Sequence, residues 1–264
     1  MDRWRPALFT VVQRFARGLE LGARGLMCLA AGVLRRDQLV RAISQRWDDF
    51  GEPEPYVLSG LMPWEQEFYD RLLKPDDEIL IVGCGSGRDL IALLRAGYRV
   101  EGLEVATQAA AKARAMLAKA GLDTRVTVGS IEDTSLMSRP FDVYIFSWFC
   151  YSYIPRRTDR VAMLRSVGER LKPGGRVGIS YETAEEAPPA LALALTRLAA
   201  TISRSDWQPE PTDVIGLGTR GLHYEHQFAP GEFEDEARDA GFQVIFHQVN
   251  QQGAAVLVRE NGQP

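Results

Sequence analysis

Apolar residues recur along this chain at two spacings. Runs such as Ile79-Leu80-Ile81-Val82 and Val143-Tyr144-Ile145-Phe146 are continuous, as in buried strands, whereas the stretch 107–120 repeats its apolar positions every three or four residues, as in a helix with one buried face. The pattern predicts strands over 78–83, 99–104, 125–129, 141–147, 176–181, 242–248 and 254–258. It predicts helices over 86–96, 107–120, 159–171 and 231–240, with Thr107 as a cap and Gly121 and Gly241 as stops. Another helix opens at Pro63 and stops before Pro75. Strands alternating with helices of this length imply an α/β fold, a mostly parallel sheet covered on both faces. The last two strands flank Asn250-Gln251-Gln252-Gly253, a hairpin loop too short for a helical crossover. The final strand therefore runs antiparallel to its neighbour.

The head of the chain has its own pattern. Apolar residues at 8, 11, 12, 15 and 19, then at 26, 29, 30 and 33, predict two amphipathic helices broken near Gly18–Gly25. Their longest uncharged run, Gly25 to Leu34, is half of the ~20 residues a spanning helix needs. Arginines persist through the segment, unlike in a secretory signal. Residues 1–46 hold nine arginines against Asp2, Glu20 and Asp37, a net of +6, so the rest of a chain of net charge −4 carries −10. A basic head on an acidic body is not a nucleic-acid-binding pattern. Two readings of the head stay open: a helical cap packed on the body, or an interfacial anchor peripheral to a membrane, its arginines facing lipid headgroups. Gly51-Glu52-Pro53-Glu54-Pro55 reads as a linker. The expected organisation is a cap (1–50), a core (51–182), an insert (183–222) and a closing core segment (223–264). Cys28, Cys84 and Cys150 form no CxxC pair, which fits a reducing, cytoplasmic setting and neither a disulfide scaffold nor a zinc site.

Strand 78–83 runs into Gly83-Cys84-Gly85-Ser86-Gly87. Glycines at alternate positions let the backbone turn with unusual φ and let a ligand approach the main chain. Glu104 ends the next strand, where a carboxylate can accept both hydroxyls of a ribose. Together these predict a nucleoside cofactor site at the carboxyl ends of the strands. The glycine spacing is GxGxG, not the GxGxxG of dinucleotide folds.

EILIVGCGSGRDL, VEGLEVA, VTVGSIED, FDVYIFSWF, LKPGGRVGIS and DAGFQVI stand in the order and at the spacing of one family. Over about residues 78–182 and 223–258 the chain resembles the class I S-adenosylmethionine-dependent methyltransferases. The resemblance implies a Rossmann-like seven-stranded sheet with a reversed terminal strand, and S-adenosyl-L-methionine as cofactor. It implies that Gly83, Gly85 and Gly87 line the methionine and ribose and that Glu104 holds the ribose hydroxyls. Ser130 and Ile131 would flank the adenine; many relatives have aspartate in place of Ser130, with Glu132 or Asp133 as stand-ins here. Ser147 and Trp148 would floor the transfer chamber. Trp148 and Tyr151 fall where relatives place substrate, and Phe149 reads as core. A looser likeness to thiopurine-methyltransferase-type enzymes, through GCGSGRDL, AGYRVEGLEVA and the tryptophan of LMPWEQEFYD, implies a small-molecule acceptor. The fourth strand ends FSWF, without the (N/D)PPY of protein- and nucleic-acid-methylating branches.

A sulfonium already activates its methyl, so such a site chiefly aligns a nucleophile. A base is needed only where the acceptor must lose a proton. His226, in the H-x-F position of relatives, and then His223 are the candidate bases or acceptor contacts, while His247 reads as structural. No second ligand cluster accompanies HxxH, so no metal is expected. The insert carries a helix apolar nearly all round (PPALALALTRLAATIS) and a loop (DWQPEPTDVIGLGTRG). With the N-terminal helices it is expected to enclose a small apolar or aromatic acceptor. Other readings remain: a membrane-associated enzyme acting on a lipid or quinone-like acceptor, an NAD-dependent or nucleotide-sugar enzyme, and a non-catalytic Rossmann-fold binding protein.

Overall fold

The computed structural model describes residues 4–48, 52–133, 136, 139–184, 189–218, 220–250 and 252–260. Gly51 of the expected linker, Gln251 of the hairpin loop and 185–188 of the insert lie outside them.

Seven strands form the main sheet: β1 Glu78–Val82, β2 Arg99–Glu104, β3 Val126–Val128, β4 Phe141–Phe146, β5 Leu171–Glu182, β8 Phe242–Val249 and β9 Gln252–Arg259. Their order is β3-β2-β1-β4-β5-β9-β8. β1 to β5 run parallel, and β9 pairs antiparallel with both β5 and β8, so it is the one reversed strand of this sheet. Because side chains alternate along a strand, β1 feeds two cores. Ile79 and Ile81 join α4 (Pro63–Leu72), α5 (Arg88–Arg95) and α6 (Thr107–Lys119); Leu80 and Val82 join α7 (Arg157–Arg170) and α9 (Glu232–Asp239). This is the sheet that the sequence pattern predicts. Thr107 begins α6 as its first helical residue, with Ala106 at the cap.

The head differs from expectation. α1 is one helix, Trp4–Val33, without a break at Gly18–Gly25, and α2 follows at Arg36–Asp48. A glycine inside a helix costs only about 1 kcal/mol, which neighbouring turns absorb. Gly32 has a positive use: a Cβ there would lie 2.3 Å from the Thr196 carbonyl oxygen of α8 (Ala190–Ser203), so its absence lets the two helices touch. The linker also holds a helical turn, α3 (Glu54–Val57), because Pro55 falls in the first turn, where no N–H is required.

The loop expected after α8 is partly a hairpin. β6 (Asp213–Gly218) pairs antiparallel with β7 (Gly221–His226). Cys28 and Ala31 of α1, Leu39 and Ile43 of α2, Leu193 of α8, and Trp207, Ile215 and Tyr224 share one apolar cluster separate from the two sheet cores. Trp207 Nε1 donates to the Leu34 carbonyl at 2.9 Å, locking the α1–α2 corner to the insert.

Gly32→Val should force α1 off α8 and lower stability by about 1–3 kcal/mol. Thermal unfolding checks this, with the glycine-loop site unaffected because α1 does not reach it.

Candidate active site

The glycine loop is built as a sharp turn out of β1. Gly83, Gly85 and Gly87 have φ of 69°, 54° and 93°, in the left-handed region that disfavours other residues. Their roles divide. A Cβ on Gly83 would meet Cys150 Cβ at 2.9 Å, and one on Gly87 would meet Ala113 at 3.2 Å, so both are small for internal packing. A Cβ on Gly85 would find only the Glu52 carboxylate, at 3.9 Å, so the space in front of it is open. A cavity of about 310 Å³ lies at the carboxyl ends of the strands, a size typical of small-molecule sites; Gly83 and Ser86 of the loop line it with Glu52, whereas Gly85 and Gly87 do not.

Glu104 reaches the cavity wall from the end of β2 and is almost wholly buried. Its Oε2 accepts the Gly85 N–H at 2.8 Å and its Oε1 accepts the Ala106 N–H at 2.8 Å. Burial pushes its pKa up, and these backbone donors work against that shift by favouring the anion. One carboxylate thus fixes the loop and still offers lone pairs to a ligand. Ser130 and Ile131 lie on the same wall, beside Glu132. Glu132 pairs with Arg36, whose Nε also holds Asp159 at 3.0 Å, and Asp48 accepts the Gln108 N–H at 2.8 Å. These contacts strap α2 across the cavity, where its Val40, Ile43 and Trp47 form a wall.

The opposite end of the cavity is aromatic. Ser147, Trp148, Phe149 and Tyr153, all shortly after β4, line it together with Glu182 at the end of β5. Trp148 and Phe149 have φ of 48° and 61°, an unusual conformation for bulky residues that only surrounding contacts sustain. Those contacts are visible. Ser147 Oγ donates to Asp89 Oδ2 at 2.6 Å, Trp148 Nε1 donates to Glu65 Oε1 at 2.9 Å, and the Phe149 N–H donates to Ser180 Oγ at 3.2 Å. Phe149 stacks on Trp64 with ring centroids 6.0 Å apart, so it belongs to the wall and not solely to the core. Burial raises the Tyr153 pKa further above its ordinary value, with the carboxylates of Glu225 and Glu182 adding to the effect; the phenol stays a neutral donor.

Besides Gly85 and Gly87, three expected site residues are off the cavity wall. Tyr151 is fully buried in the sheet core, donating to Glu236 Oε2 at 2.9 Å and stacked on Phe228. His223 and His226 sit three apart on a strand, so they point to opposite faces and cannot act as a pair. His223 meets Arg46 and Glu225. His226 is fully buried, with Nδ1 2.8 Å from Asp213 Oδ1 and Nε2 3.1 Å from Glu232 Oε1. Neither histidine is on the cavity wall. Carboxylates do gather round His226, Glu210 and Glu236 among them, but Arg160 threads the group, with Nη2 2.8 Å from Glu210 and 2.6 Å from Glu236. A guanidinium and an imidazole thus face four carboxylates, Glu210, Asp213, Glu232 and Glu236. Burial opposes a charge on His226, yet the Asp213 and Glu232 bonds outweigh it and raise its pKa.

Sequence reasoning missed Trp47, Glu52, Tyr153 and Glu182 on the wall, and Glu65 and Asp89 behind it. For Trp47 a signal existed, a tryptophan just before the linker, and for Tyr153 its place in the aromatic group Trp148, Phe149, Tyr151 and Tyr153 after the fourth strand; for the others none did.

Comparison with known proteins agrees with this geometry. Residues 79–175 match the family model described as a methyltransferase domain. A ubiquinone biosynthesis O-methyltransferase of Xanthomonas axonopodis pv. citri (strain 306) is 29% identical over 205 residues, covering 77% of this chain and 78% of the relative. Among solved structures, an S-adenosylmethionine-dependent methyltransferase from Methanosarcina mazei superposes with a TM-score of 0.56 at 20% identity, covering 75% of this chain and 97% of the other. The glycopeptide N-methyltransferase MtfA complexed with S-adenosyl-L-homocysteine gives 0.55 at 19% identity, covering 80% and 94%. The sheet order and the turn after β1 define a Rossmann-like nucleoside-cofactor enzyme. Residues 79–175 carry a methyltransferase domain, and the sheet has the fold of the class I S-adenosylmethionine-dependent methyltransferases.

The residues present fit that cofactor: an open face at Gly85, a buried carboxylate on the wall, and apolar flanks at Leu103 and Ile131. When bound, S-adenosylmethionine supplies a methyl activated for in-line displacement. Glu104, the Ser147–Phe149 segment and α2 form walls of the cavity that would receive the cofactor.

Glu104→Ala removes charge-assisted hydrogen bonds worth about 1.5–3 kcal/mol each. Affinity for S-adenosylhomocysteine, measured by calorimetry, should fall at least tenfold. For His226, whose folded pKa is raised above the ordinary 6.5, the stabilising share is complete below that value and lost as pH rises through the folded pKa. Denaturant midpoints should therefore decline on the alkaline side of about pH 6.5, and His226→Gln should flatten that decline.

Proposed function

We propose that this enzyme transfers the methyl group to a ring hydroxyl of a small, apolar acceptor of the quinone-precursor type. The observation that carries this reading is the wall facing the chamber, where Trp47, Trp148, Phe149 and Tyr153 surround the acceptor end and Ile43 and Ile154 continue it. Such a surface favours a flat ring with an apolar tail over a charged peptide or sugar. The relative named for ubiquinone biosynthesis, an O-methyltransferase, supports the same acceptor class.

A hydroxyl must lose its proton as the methyl arrives. Glu182 brings a carboxylate to this end of the cavity and is the group we assign to take it, in place of either histidine. Tyr153, kept neutral, is placed to donate to a ring oxygen.

Labelled-methyl transfer to a panel of ring hydroxyls, amines and thiols, each with short and long alkyl tails, tests the reading. Turnover should be confined to hydroxyls, with kcat/KM rising with the tail. Glu182→Gln should lower kcat at least a hundredfold, within the usual range for a lost base, while S-adenosylhomocysteine affinity stays. Turnover on amines but not hydroxyls would overturn the assignment, and an unchanged Glu182→Gln rate would remove that residue from it.

A further inference from the structure

Helix α1 carries a feature that the transfer reaction does not use. Every residue from 5 to 22 is exposed, so the first half of the helix stands clear of the body on all sides. At about 3.6 residues per turn, Leu8, Val12, Phe15, Leu19 and Leu26 fall on one stripe, and Arg14, Arg17 and Arg24 fall on the other side. Phe15 is 68% exposed and Leu26 69%. Further along, α1 buries Cys28 and Ala31 toward the hairpin, with Cys28 Sγ 3.4 Å from the Ile215 carbonyl, and leaves Val33 outward. α8 lies beside it on the same hairpin, burying Leu193 and leaving Leu191, Leu198 and Ile202 outward, Ile202 at 74% exposure. Two helices in contact thus turn aliphatic stripes away from the body side by side.

We infer that this two-helix face docks on the surface of an anionic lipid bilayer. A partner must match an apolar stripe and a cationic arc on one helix, which is the signature of a helix lying in the interface with arginines at headgroup level. Glu20 is the one acidic residue of α1, and it is already paired with Arg24 at 2.7 Å. No helix among the described residues is long and apolar enough to cross a membrane, so the face lies on the bilayer and does not span it. A second copy fits less well, since pairing through α1 would set arginine-rich helices of like charge together. The face also leads to the chamber: α1 passes through Leu34 and Arg35 into α2, whose Val40, Ile43 and Trp47 line the cavity. The inference stands whichever atom of the acceptor is methylated.

Flotation of the full chain with vesicles tests it, using phosphatidylcholine alone and phosphatidylcholine mixed with phosphatidylglycerol. The chain should float with the anionic vesicles, at least tenfold more than with the neutral ones, and release as salt is raised. Phe15→Asp with Leu19→Asp, both at exposed positions, should abolish flotation while S-adenosylhomocysteine affinity and the unfolding midpoint stay unchanged. Arg14→Gln with Arg17→Gln should reduce the preference for anionic vesicles. Absence of flotation, or flotation that survives the Phe15 and Leu19 substitutions, would overturn the inference. So would a dimer in sedimentation that those substitutions dissociate, if the wild-type chain ignores vesicles.

Discussion

The guanidinium of Arg88 sits almost wholly out of water, and the aromatic end of the cavity is organised around it. Its Nη2 donates to Glu65 and to Asp89, the latter at 2.9 Å. Its Nη1 has no hydrogen-bond partner among the described residues, but the group lies over the rings of Tyr56 and Trp148, at 5.3 and 5.2 Å from their centroids. Removing one partner of such a buried pair costs about 3–5 kcal/mol, so neither carboxylate is dispensable. Each has a second duty. Glu65 fixes the Trp148 indole, and Asp89 fixes Ser147 and the Tyr69 hydroxyl. A buried cation between α4 and α5 is thereby tied to the backbone conformation of the loop after β4: its two carboxylates hold Ser147 and Trp148, while Ser180 and Trp64 hold Phe149.

The two halves of the cavity are made in different ways. The cofactor half relies on main chain: left-handed glycines, the N–H groups of Gly85 and Ala106, and one carboxylate that they orient. Such parts need only local order. The aromatic half relies on side chains from segments far apart in the chain, α2, the loop after β4 and the end of β5. α2 closes over both, held by Arg36 at one end and Asp48 at the other. The insert, expected to roof the chamber, contributes no described residue to the wall and instead backs α1 and α2 through Trp207 and the hairpin.

What could be read from the sequence divides along the same line. The glycine turn and Glu104 are legible because backbone geometry imposes residue types at fixed local spacing. The sheet is legible because its strands are continuous apolar runs separated by periodic helices, and the reversed β9 follows from a loop too short for a crossover. Gly18, Gly22 and Gly25 look like breakers, yet α1 runs through them; nothing local says that Gly32 is there for α8 to approach. The β6–β7 hairpin hides among glycines that read as loop. Tyr151 and His226 carry chemistry that suggested a site, while their burial is set by Glu236, Asp213 and Arg160, residues distant in sequence. Glu65, Asp89 and Glu182 are the converse: ordinary acids until the fold brings them together.

The apolar cluster under α1 has a consequence for the order of assembly. It joins Cys28 and Leu39 to Ile215 and Tyr224, partners separated by most of the chain, so its closure is a long-range event of the kind that slows folding. During synthesis from the N-terminus, helix α1 leaves the ribosome well before the elements it packs on, α8 and the hairpin. The parallel strands β1 to β5 can pair in the meantime, and β8 and β9 follow the hairpin. The cap therefore docks only after α8 and the hairpin have emerged, and until then its apolar side is exposed to aggregation.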